Sequence, residues 1–312
     1  MKKSPLGKTG LHVTPLCIGT SALGNFPAQY GYEVSTERAL ATLHRVFESQ
    51  INFIDTSNEY GGGESERRIG QALAERGGLP EGFVLATKVD PLPGSSDFSG
   101  ERVQASVAES LERLGLERLQ LVFLHDPEKI TFEEATAAGG AVEVLIRLRD
   151  EGTIEHLGVA GGPIDLMLRY VRLGVFDAVI SHNRYTLIDQ SAEALIKEVA
   201  QKGLGFINAA PYGGGMLVKG PDVVRKYCYQ PASKSTIERV KQMQSLCQNY
   251  GVPLAAAALQ FSLRDQRIGS TIVGITEPER IEETIQLAEL TIPKSLWDEL
   301  GPLVEPGANG VQ

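Results

Sequence analysis

The chain has 312 residues, of which 42% are hydrophobic and 22% are charged, and its formal net charge at pH 7 is −9. The proportions are ordinary for a globular protein, and the negative charge argues against nucleic acid or an anionic membrane as a partner, because both require clustered Lys and Arg. Three cysteines without a C-x-x-C spacing indicate neither a disulfide framework nor a thiolate zinc site. No run approaches 18 uninterrupted apolar residues and no signal peptide is evident, so we expect a cytoplasmic protein.

Short apolar runs alternate with longer amphipathic segments, which predicts a parallel sheet covered by helices. The runs predicted to form strands are residues 16–19, 52–55, 83–88, 119–125, 156–160, 178–182, 205–209 and 270–273. The segments predicted to form helices are residues 36–48, 64–75, 101–114, 139–150, 164–173, 192–202, 236–250 and 278–287. Ser35, Ser99 and Asp189 are predicted to start the first, third and sixth of these helices.

Eight strand–helix units favour an α/β fold of the (β/α)8 TIM-barrel type, with residues 1–312 forming a single domain. The alternative is an open doubly wound sheet, which would need a Gly-rich dinucleotide fingerprint after its first strand, and none follows residues 16–19. Residues 6–13 predict a β-hairpin that caps the barrel bottom. Residues 212–234 predict a long loop, residues 253–263 an extra helix, and residues 306–312 a frayed tail.

Four polar side chains are predicted to meet at the barrel mouth. Asp55, Lys88 and His125 end the second, third and fourth predicted strands, and Tyr60 follows the second. An ammonium near a tyrosine favours the phenolate and brings its pKa down from about 10. Lys88, tied to Asp55, could supply that field, while His125 could orient a carbonyl oxygen.

Each of these residues also has a simpler explanation when it is taken alone. Asp55 would cap a loop, Lys88 would be a solvated strand end, His125 would be a turn histidine, and Tyr60 would only pack in a loop. Their coincidence on three consecutive strand ends favours a group built for proton transfer. The residues by themselves do not name a substrate.

A resemblance to a known family adds to this interpretation. Residues 52–61 (NFIDTSNEYG), with 64–66 (ESE) and 69–70 (IG), closely resemble the signature of the aldo-keto reductases, and further matches are residues 6–11 (LGKTGL), 86–88 (ATK) and 124–125 (LH). The resemblance implies a (β/α)8 barrel, an NAD or NADP cofactor bound without a Rossmann fold, and no metal. By the same resemblance, Tyr60 is the general acid/base, Lys88 and Asp55 tune it, and His125 orients the carbonyl.

Within the family, residues 123–128 (FLHDPE) resemble the branch of aldose 1-dehydrogenases, L-fucose and L-galactose dehydrogenases and pyridoxal 4-dehydrogenase. This branch implies oxidation of a cyclic hemiacetal carbon to a lactone, with a small molecule as the partner. Two alternatives stay open. One is an NADPH-dependent reductase that detoxifies aldehydes, and the other is a cofactor-bound regulatory subunit similar to potassium-channel β-subunits. The sequence does not indicate an oligomeric state.

The predicted cofactor site departs from the family pattern in three places. Residues 159–163 (VAGGP) replace the usual Ser-Asn that binds the carboxamide, so Ser181, His182 and Asn183 become the candidates, and Ala209 stands where many members stack an aromatic ring. Gly274 replaces a Lys found in many NADP-preferring members, which favours NAD. The resemblance places the cofactor against Gly19, Thr20, Asp55, Ser181, Asn183, Ala210, Tyr212, Gly213, Gly215, Leu217, Gly274, Thr276 and Arg280.

Aromatic residues in the first and seventh loops are candidates for the substrate pocket. With Tyr60 and His125, the predicted substrate contacts are Phe26 and Tyr30, and Tyr212, Tyr227 and Tyr229 are further candidates.

Overall fold

The computed structural model describes residues 1–92, 94–227 and 230–304. Within these ranges, eight parallel strands close into a barrel in which each strand pairs with the next one along the chain and the last pairs with the first. They are β3 (Leu16–Gly19), β4 (Phe53–Asp55), β5 (Val84–Val89), β6 (Leu119–His125), β7 (Ile154–Gly161), β8 (Ala178–His182), β9 (Gly205–Ala209) and β12 (Ser270–Gly274). The predicted (β/α)8 barrel is confirmed, and the open sheet is excluded because β12 pairs with both β3 and β9.

Helices surround the barrel and follow the predicted segments within a few residues. In chain order they are α1 (Pro27–Tyr30), α2 (Thr36–Glu48), α3 (Glu64–Arg76), α4 (Gly100–Leu114), α5 (Phe132–Thr136), α6 (Ala141–Asp150), α7 (Ile164–Arg172), α8 (Glu193–Lys202), α9 (Met216–Lys219), α10 (Lys234–Asn249), α11 (Leu254–Leu263), α12 (Glu279–Glu289) and α13 (Lys294–Leu300). Within the described residues, none of the helices combines the length and the apolar character that crossing a bilayer requires.

Two of the three predicted helix starts are confirmed. The hydroxyls of Ser35 and Ser99 accept hydrogen bonds from the backbone N–H groups three residues later, as N-cap residues do. The prediction for Asp189 is wrong, because α8 begins after Ala192 without a side-chain cap. The Asp189 carboxylate instead accepts a hydrogen bond from the Ser191 N–H in the turn that precedes the helix.

The predicted hairpin is also confirmed, and it closes the barrel bottom. β1 (Ser4–Pro5) pairs with β2 (His12–Val13) in antiparallel register. The buried Leu6 joins the apolar cluster of the barrel interior. Gly7 lies so close to β9 that a Cβ atom there would be 2.3 Å from the Gly205 nitrogen, so only glycine fits.

Strand alternation decides which residues face the barrel interior. Phe53, Ala86 and Phe123 belong to the interior cluster, whereas Ile54, Leu85 and Val122 pack in the cluster beneath the helices. Two positions further along each strand, the same parity brings polar residues to the top of the interior: Asp55, Lys88 and His125.

Two predicted features fall in less regular or undescribed parts of the chain. The loop after β9 contains α9 and a small antiparallel pair, β10 (Lys226–Tyr227) and β11 (Gln230–Pro231). The predicted tail at 306–312 and Tyr229 lie outside the described residues.

Candidate active site

A turn after β4 brings Tyr60 to the top of the barrel beside Lys88. Gly61, Gly62 and Gly63 follow it, all with positive φ angles. Gly61 packs directly against Gly24, where a Cβ atom on Gly61 would be 2.0 Å from the Gly24 carbonyl oxygen. The turn therefore requires glycine to bring Tyr60 this close to the first loop.

Lys88 is the centre of the predicted catalytic group. It is only 2% exposed, and its Nζ atom lies 2.7 Å from Asp55 Oδ2, 2.6 Å from the Thr56 carbonyl oxygen and 3.1 Å from the Tyr60 hydroxyl. The three acceptors match the three N–H bonds of an ammonium group. This geometry excludes a solvated strand end for Lys88 and a simple loop cap for Asp55.

A second chain of hydrogen bonds fixes His125. Its Nδ1 atom lies 2.6 Å from Asp90 Oδ1 and 3.2 Å from the Ser57 hydroxyl, which also donates to the Asp90 carboxylate. The His125 ring is in edge-to-face contact with Tyr60, with ring centroids 5.8 Å apart. Because Nδ1 is occupied in this way, Nε2 is the ring nitrogen left for a ligand.

Asp90 and Ser57 were not predicted from the sequence. A signal for Asp90 was present, since it stands two residues beyond Lys88 and therefore has the same strand parity. Ser57 lies in a turn, where strand periodicity gives no signal. Its contacts with Asp90 and His125 form because β5 and β6 are neighbours in the barrel.

The pKa of Tyr60 differs from the expectation. Burial, followed by the carboxylates of Asp55 and Asp90, raises this pKa well above its ordinary value. The expected net lowering of this pKa is not found, because burial outweighs the effect of Lys88 and Asp55 offsets the Lys88 charge at 2.7 Å. Tyr60 is therefore a protonated phenol at neutral pH.

His125 is shifted in the direction of its charged form. Burial opposes this charge, but the carboxylates of Asp90 and Asp126 outweigh burial and raise the pKa of His125. Burial likewise opposes ionisation of Asp90, yet the charge and hydrogen bond of His125 lower the pKa of Asp90. The two side chains form a partly buried, hydrogen-bonded pair beside the phenol, in which each stabilises the charged form of the other.

These groups line a cavity of about 450 Å³ at the barrel mouth. All four predicted catalytic residues contribute to it, and so does Tyr30, whose hydroxyl lies 2.6 Å from that of Ser21. Phe26 is 46% exposed and does not line the cavity. Tyr227 does not line it either, and its hydroxyl donates to the Asn183 carbonyl oxygen. Lining residues that the sequence analysis missed include Ser21, Ala22, Tyr32, Asp126, Ile180, Pro211 and Ile272.

The predicted cofactor residues divide into two groups. Those lining the cavity are Gly19, Asp55, Asn183, Ala210, Tyr212, Gly274, Thr276 and Arg280, together with His182 and Ala209. The others, Thr20, Ser181, Gly213, Gly215 and Leu217, are not among its lining residues. The Thr20 hydroxyl donates to the Asp55 carbonyl oxygen, and the Leu217 side chain is buried in a second apolar cluster.

The sequence model of the Aldo/keto reductase family matches residues 15–305 of the chain. The chain belongs to this family and is an NAD(P)-dependent oxidoreductase. It is 31% identical to D-threo-aldose 1-dehydrogenase of a Pseudomonas species, over 93% of this chain and 94% of that one. It is also 31% identical to L-galactose dehydrogenase of Arabidopsis thaliana, over 97% and 94% of the two chains.

The fold also matches that of a solved structure. The structure superimposes on an aldo-keto reductase from Bacillus halodurans, solved in its holo form, with a TM-score of 0.80. The match covers 100% of this chain and 99% of that one, at 22% sequence identity, so it confirms the barrel.

The described residues fit a bound nicotinamide coenzyme, which is general to the family. Asp55 Oδ1, Ser181 Oγ and Arg280 Nε are buried polar atoms for which the described residues provide no hydrogen-bond partner. Asp55 and Arg280 line the cavity, whereas Ser181 stands between the lining residues Ile180 and His182 on β8 and therefore has the opposite strand parity. Buried polar atoms normally have partners, so the two that line the cavity, Asp55 Oδ1 and Arg280 Nε, point to a ligand with polar groups.

Proposed function

We propose that this protein oxidises the hemiacetal carbon of a small aldose-like substrate to a lactone. The observation that carries the proposal is the position of the Lys88 ammonium, which contacts Asp55 and the Tyr60 hydroxyl at the base of the cavity. The names of the two relatives at 31% identity support an aldose as the substrate class.

Tyr60 transfers the proton in this proposal. Once the Tyr60 hydroxyl has lost its own proton, the phenolate oxygen accepts the proton of the substrate hydroxyl. Lys88 stabilises this phenolate, and Asp55 holds the Lys88 ammonium in place. His125 donates a hydrogen bond from Nε2 to the substrate oxygen, because Asp90 and Ser57 fix its other nitrogen. The coenzyme, when bound, supplies the acceptor for the hydride.

The residues proposed to hold the coenzyme line the cavity, and two of them have a buried polar atom to which the described residues give no hydrogen-bond partner. Asp55 and Asn183 line the cavity together with the catalytic group, and the lining residues Thr276 and Arg280 follow β12. We propose NAD as the preferred coenzyme, because Gly274 offers no side chain to a 2′-phosphate. Of the described lining residues, only Lys88 and Arg280 carry permanent positive charge, and Lys88 is engaged by Asp55.

The raised pKa of Tyr60 gives weight to a second candidate function. A phenol that stays protonated at neutral pH is suited to donating its proton to a carbonyl oxygen, which is the step that an aldehyde reductase needs. Reduction of small aldehydes with a reduced coenzyme is therefore the alternative to lactone formation.

A substrate screen with each coenzyme tests the proposal. Purified protein is given L-fucose, D-arabinose or pyridoxal with NAD or NADP at alkaline pH, and small aldehydes with NADH or NADPH at neutral pH. We expect the highest kcat/KM for an aldose with NAD, with a lactone as the product. Efficient aldehyde reduction without aldose oxidation would replace the proposal by the second candidate, and slow turnover with tightly retained NADPH would contradict both.

A further inference from the structure

Asp126 follows directly after His125 in a rare backbone conformation. Its φ angle is 42°, in the left-handed region that non-glycine residues seldom adopt. Its N–H donates to the Ala160 carbonyl oxygen at 2.7 Å, which ties this turn to the end of β7. Asp126 lines the cavity beside His125, and it is not part of the hydrogen-bonded group around Lys88.

Three positively charged or ionisable groups surround the Asp126 carboxylate without making a direct hydrogen bond to it. Oδ1 lies 3.7 Å from His125 Nε2 and 3.7 Å from His182 Nε2, and Oδ2 lies 3.8 Å from Lys129 Nζ. Each distance exceeds that of a hydrogen bond. A gap of this length between polar atoms is suited to a bridging hydroxyl group.

The carboxylate is ionised at neutral pH. Burial opposes its charge, but His125, His182 and Lys129 outweigh burial and hold the pKa of Asp126 well below its usual range. The cavity wall next to His125 Nε2 is thus an anionic hydrogen-bond acceptor, and an ionised carboxylate accepts hydrogen bonds without donating any.

These distances bring Asp126 within reach of the substrate carbon that is bonded to the reacting carbon. An oxygen held between the Tyr60 hydroxyl and His125 Nε2 is the reacting oxygen of the proposed function. A hydroxyl on the adjacent carbon then lies about one hydrogen-bond length from that oxygen, within reach of Asp126 Oδ1 and His182 Nε2. A substrate without this hydroxyl leaves the carboxylate facing the cavity with no donor.

We infer that Asp126 is a specificity-determining residue that accepts a hydrogen bond from the hydroxyl next to the reacting carbon, so the site selects α-hydroxy aldehydes and aldoses over their deoxy counterparts. The inference rests on the proposed position of the reacting oxygen at Tyr60 and His125. It does not depend on the direction of the reaction.

The test compares matched substrates in the wild type and in Asp126→Asn. Asparagine has nearly the same shape and tolerates a positive φ, so the turn is kept while the charge is removed. Glycolaldehyde is compared with acetaldehyde in reduction, and D-arabinose with 2-deoxy-D-ribose in oxidation. A hydrogen bond to a charged acceptor corresponds to about a ten- to hundredfold change, so we expect Asp126→Asn to reduce the wild-type preference for the hydroxylated partner by about that factor.

Glu128→Gln is the matched control. Glu128 lies within 4.8 Å of the ligand atoms of Asp126 and His182, but it does not line the cavity. The variant removes the same unit of charge from the same part of the surface, and we expect it to keep the wild-type preference. Thermal unfolding of both variants verifies that the fold is retained.

Three outcomes would overturn the inference. The first is a wild type that does not prefer the hydroxylated substrate. The second is a fall in kcat/KM of Asp126→Asn that is equal for both members of a pair and is accompanied by the same change in their pH profiles. Asp126 would then act by controlling the pKa of His125. The third is a preference that disappears with EDTA and returns with a divalent cation, since a metal would then occupy Asp126, Glu128 and His182. Absence of lactone formation alone would refute the proposed function, while the aldehyde pair would still decide this inference.

Discussion

Lys88 brings a full positive charge into the barrel interior, where only 2% of the residue is exposed. Such a charge is stable only when it is paired and hydrogen-bonded. Asp55, the Thr56 carbonyl and the Tyr60 hydroxyl together meet this requirement. Asp55 also offsets part of the Lys88 charge, so burial and the nearby carboxylates keep the pKa of Tyr60 raised despite the ammonium.

Replacing Tyr60 by Phe removes the proton-transfer group and leaves the ring in place. We expect kcat to fall at least about a hundredfold, while coenzyme affinity, measured by fluorescence titration, stays close to that of the wild type. Tyr250→Phe is the control, since the Tyr250 hydroxyl bonds to Glu299 away from the cavity. Turnover near the wild-type level in Tyr60→Phe would remove Tyr60 from the mechanism.

Lys88→Met leaves the Asp55 carboxylate near the phenol without its counter-charge. The pKa of Tyr60, already raised by burial and by Asp55, should rise further. Oxidation requires the phenol to lose its proton, so the limb of log kcat/KM that rises with pH should move to higher pH. The double variant Asp55→Asn/Lys88→Met removes both charges and should move the limb back toward the wild type. A profile that is the same in all three proteins would contradict the tuning role.

At the scale of elements, the strands could be predicted more completely than the turns between them. Strand parity alone brings Asp55, Lys88 and His125 to the same layer of the interior. Turns depend on backbone angles that periodicity does not encode. The positive φ of Asp126 and the uncapped start of α8 after Ala192 could not be predicted for this reason.

The turn that carries Tyr60 offers a test of close packing between elements. Gly61→Ala would place a methyl group 2.0 Å from the Gly24 carbonyl oxygen at a φ of +63°. Gly62→Ala is the matched control, because its φ is +64° and no heavy atom lies within 4 Å. We expect the control to lower the free energy of unfolding by about 1–2 kcal/mol through backbone strain alone.

Gly61→Ala should lower the free energy of unfolding, measured with urea, by more than the control does. It should also lower kcat, because relief of the clash displaces Tyr60. Equal stabilities and equal activities of the two variants would show that the approach to Gly24 does not position the phenol.

At the scale of the whole molecule, the two ends of the barrel have separate tasks. The hairpin closes the bottom with Leu6, and the cavity opens at the top among the strand C-terminal ends. The eight alternating strand and helix patterns of the sequence were sufficient to predict this architecture. The contacts between distant segments, such as those of Asp90 with Ser57 and His125, required the barrel to be closed before they could be recognised.

Leu6→Ala tests this separation of stability from activity. The variant opens a cavity at the buried bottom of the barrel and should lower the free energy of unfolding by about 2–5 kcal/mol. Its kcat and KM should match the wild type at temperatures where it is folded. Leu290→Ala is the control, since Leu290 is 38% exposed and should change stability by no more than about 0.5 kcal/mol. A loss of kcat in folded Leu6→Ala would contradict the separation.

Closure of the ring between β3 and β12 has a consequence for biosynthesis. The two strands pair across most of the chain, and the Ser270 hydroxyl bonds to the Thr14 carbonyl oxygen 256 positions away. The ribosome therefore releases every group of the proton relay long before it makes the strand that completes the circle. Until then β3 and β9 expose open edges that can pair with foreign strands. We therefore expect chains truncated before Gly274 to keep these two edges open and to aggregate, and not to yield a partly active enzyme.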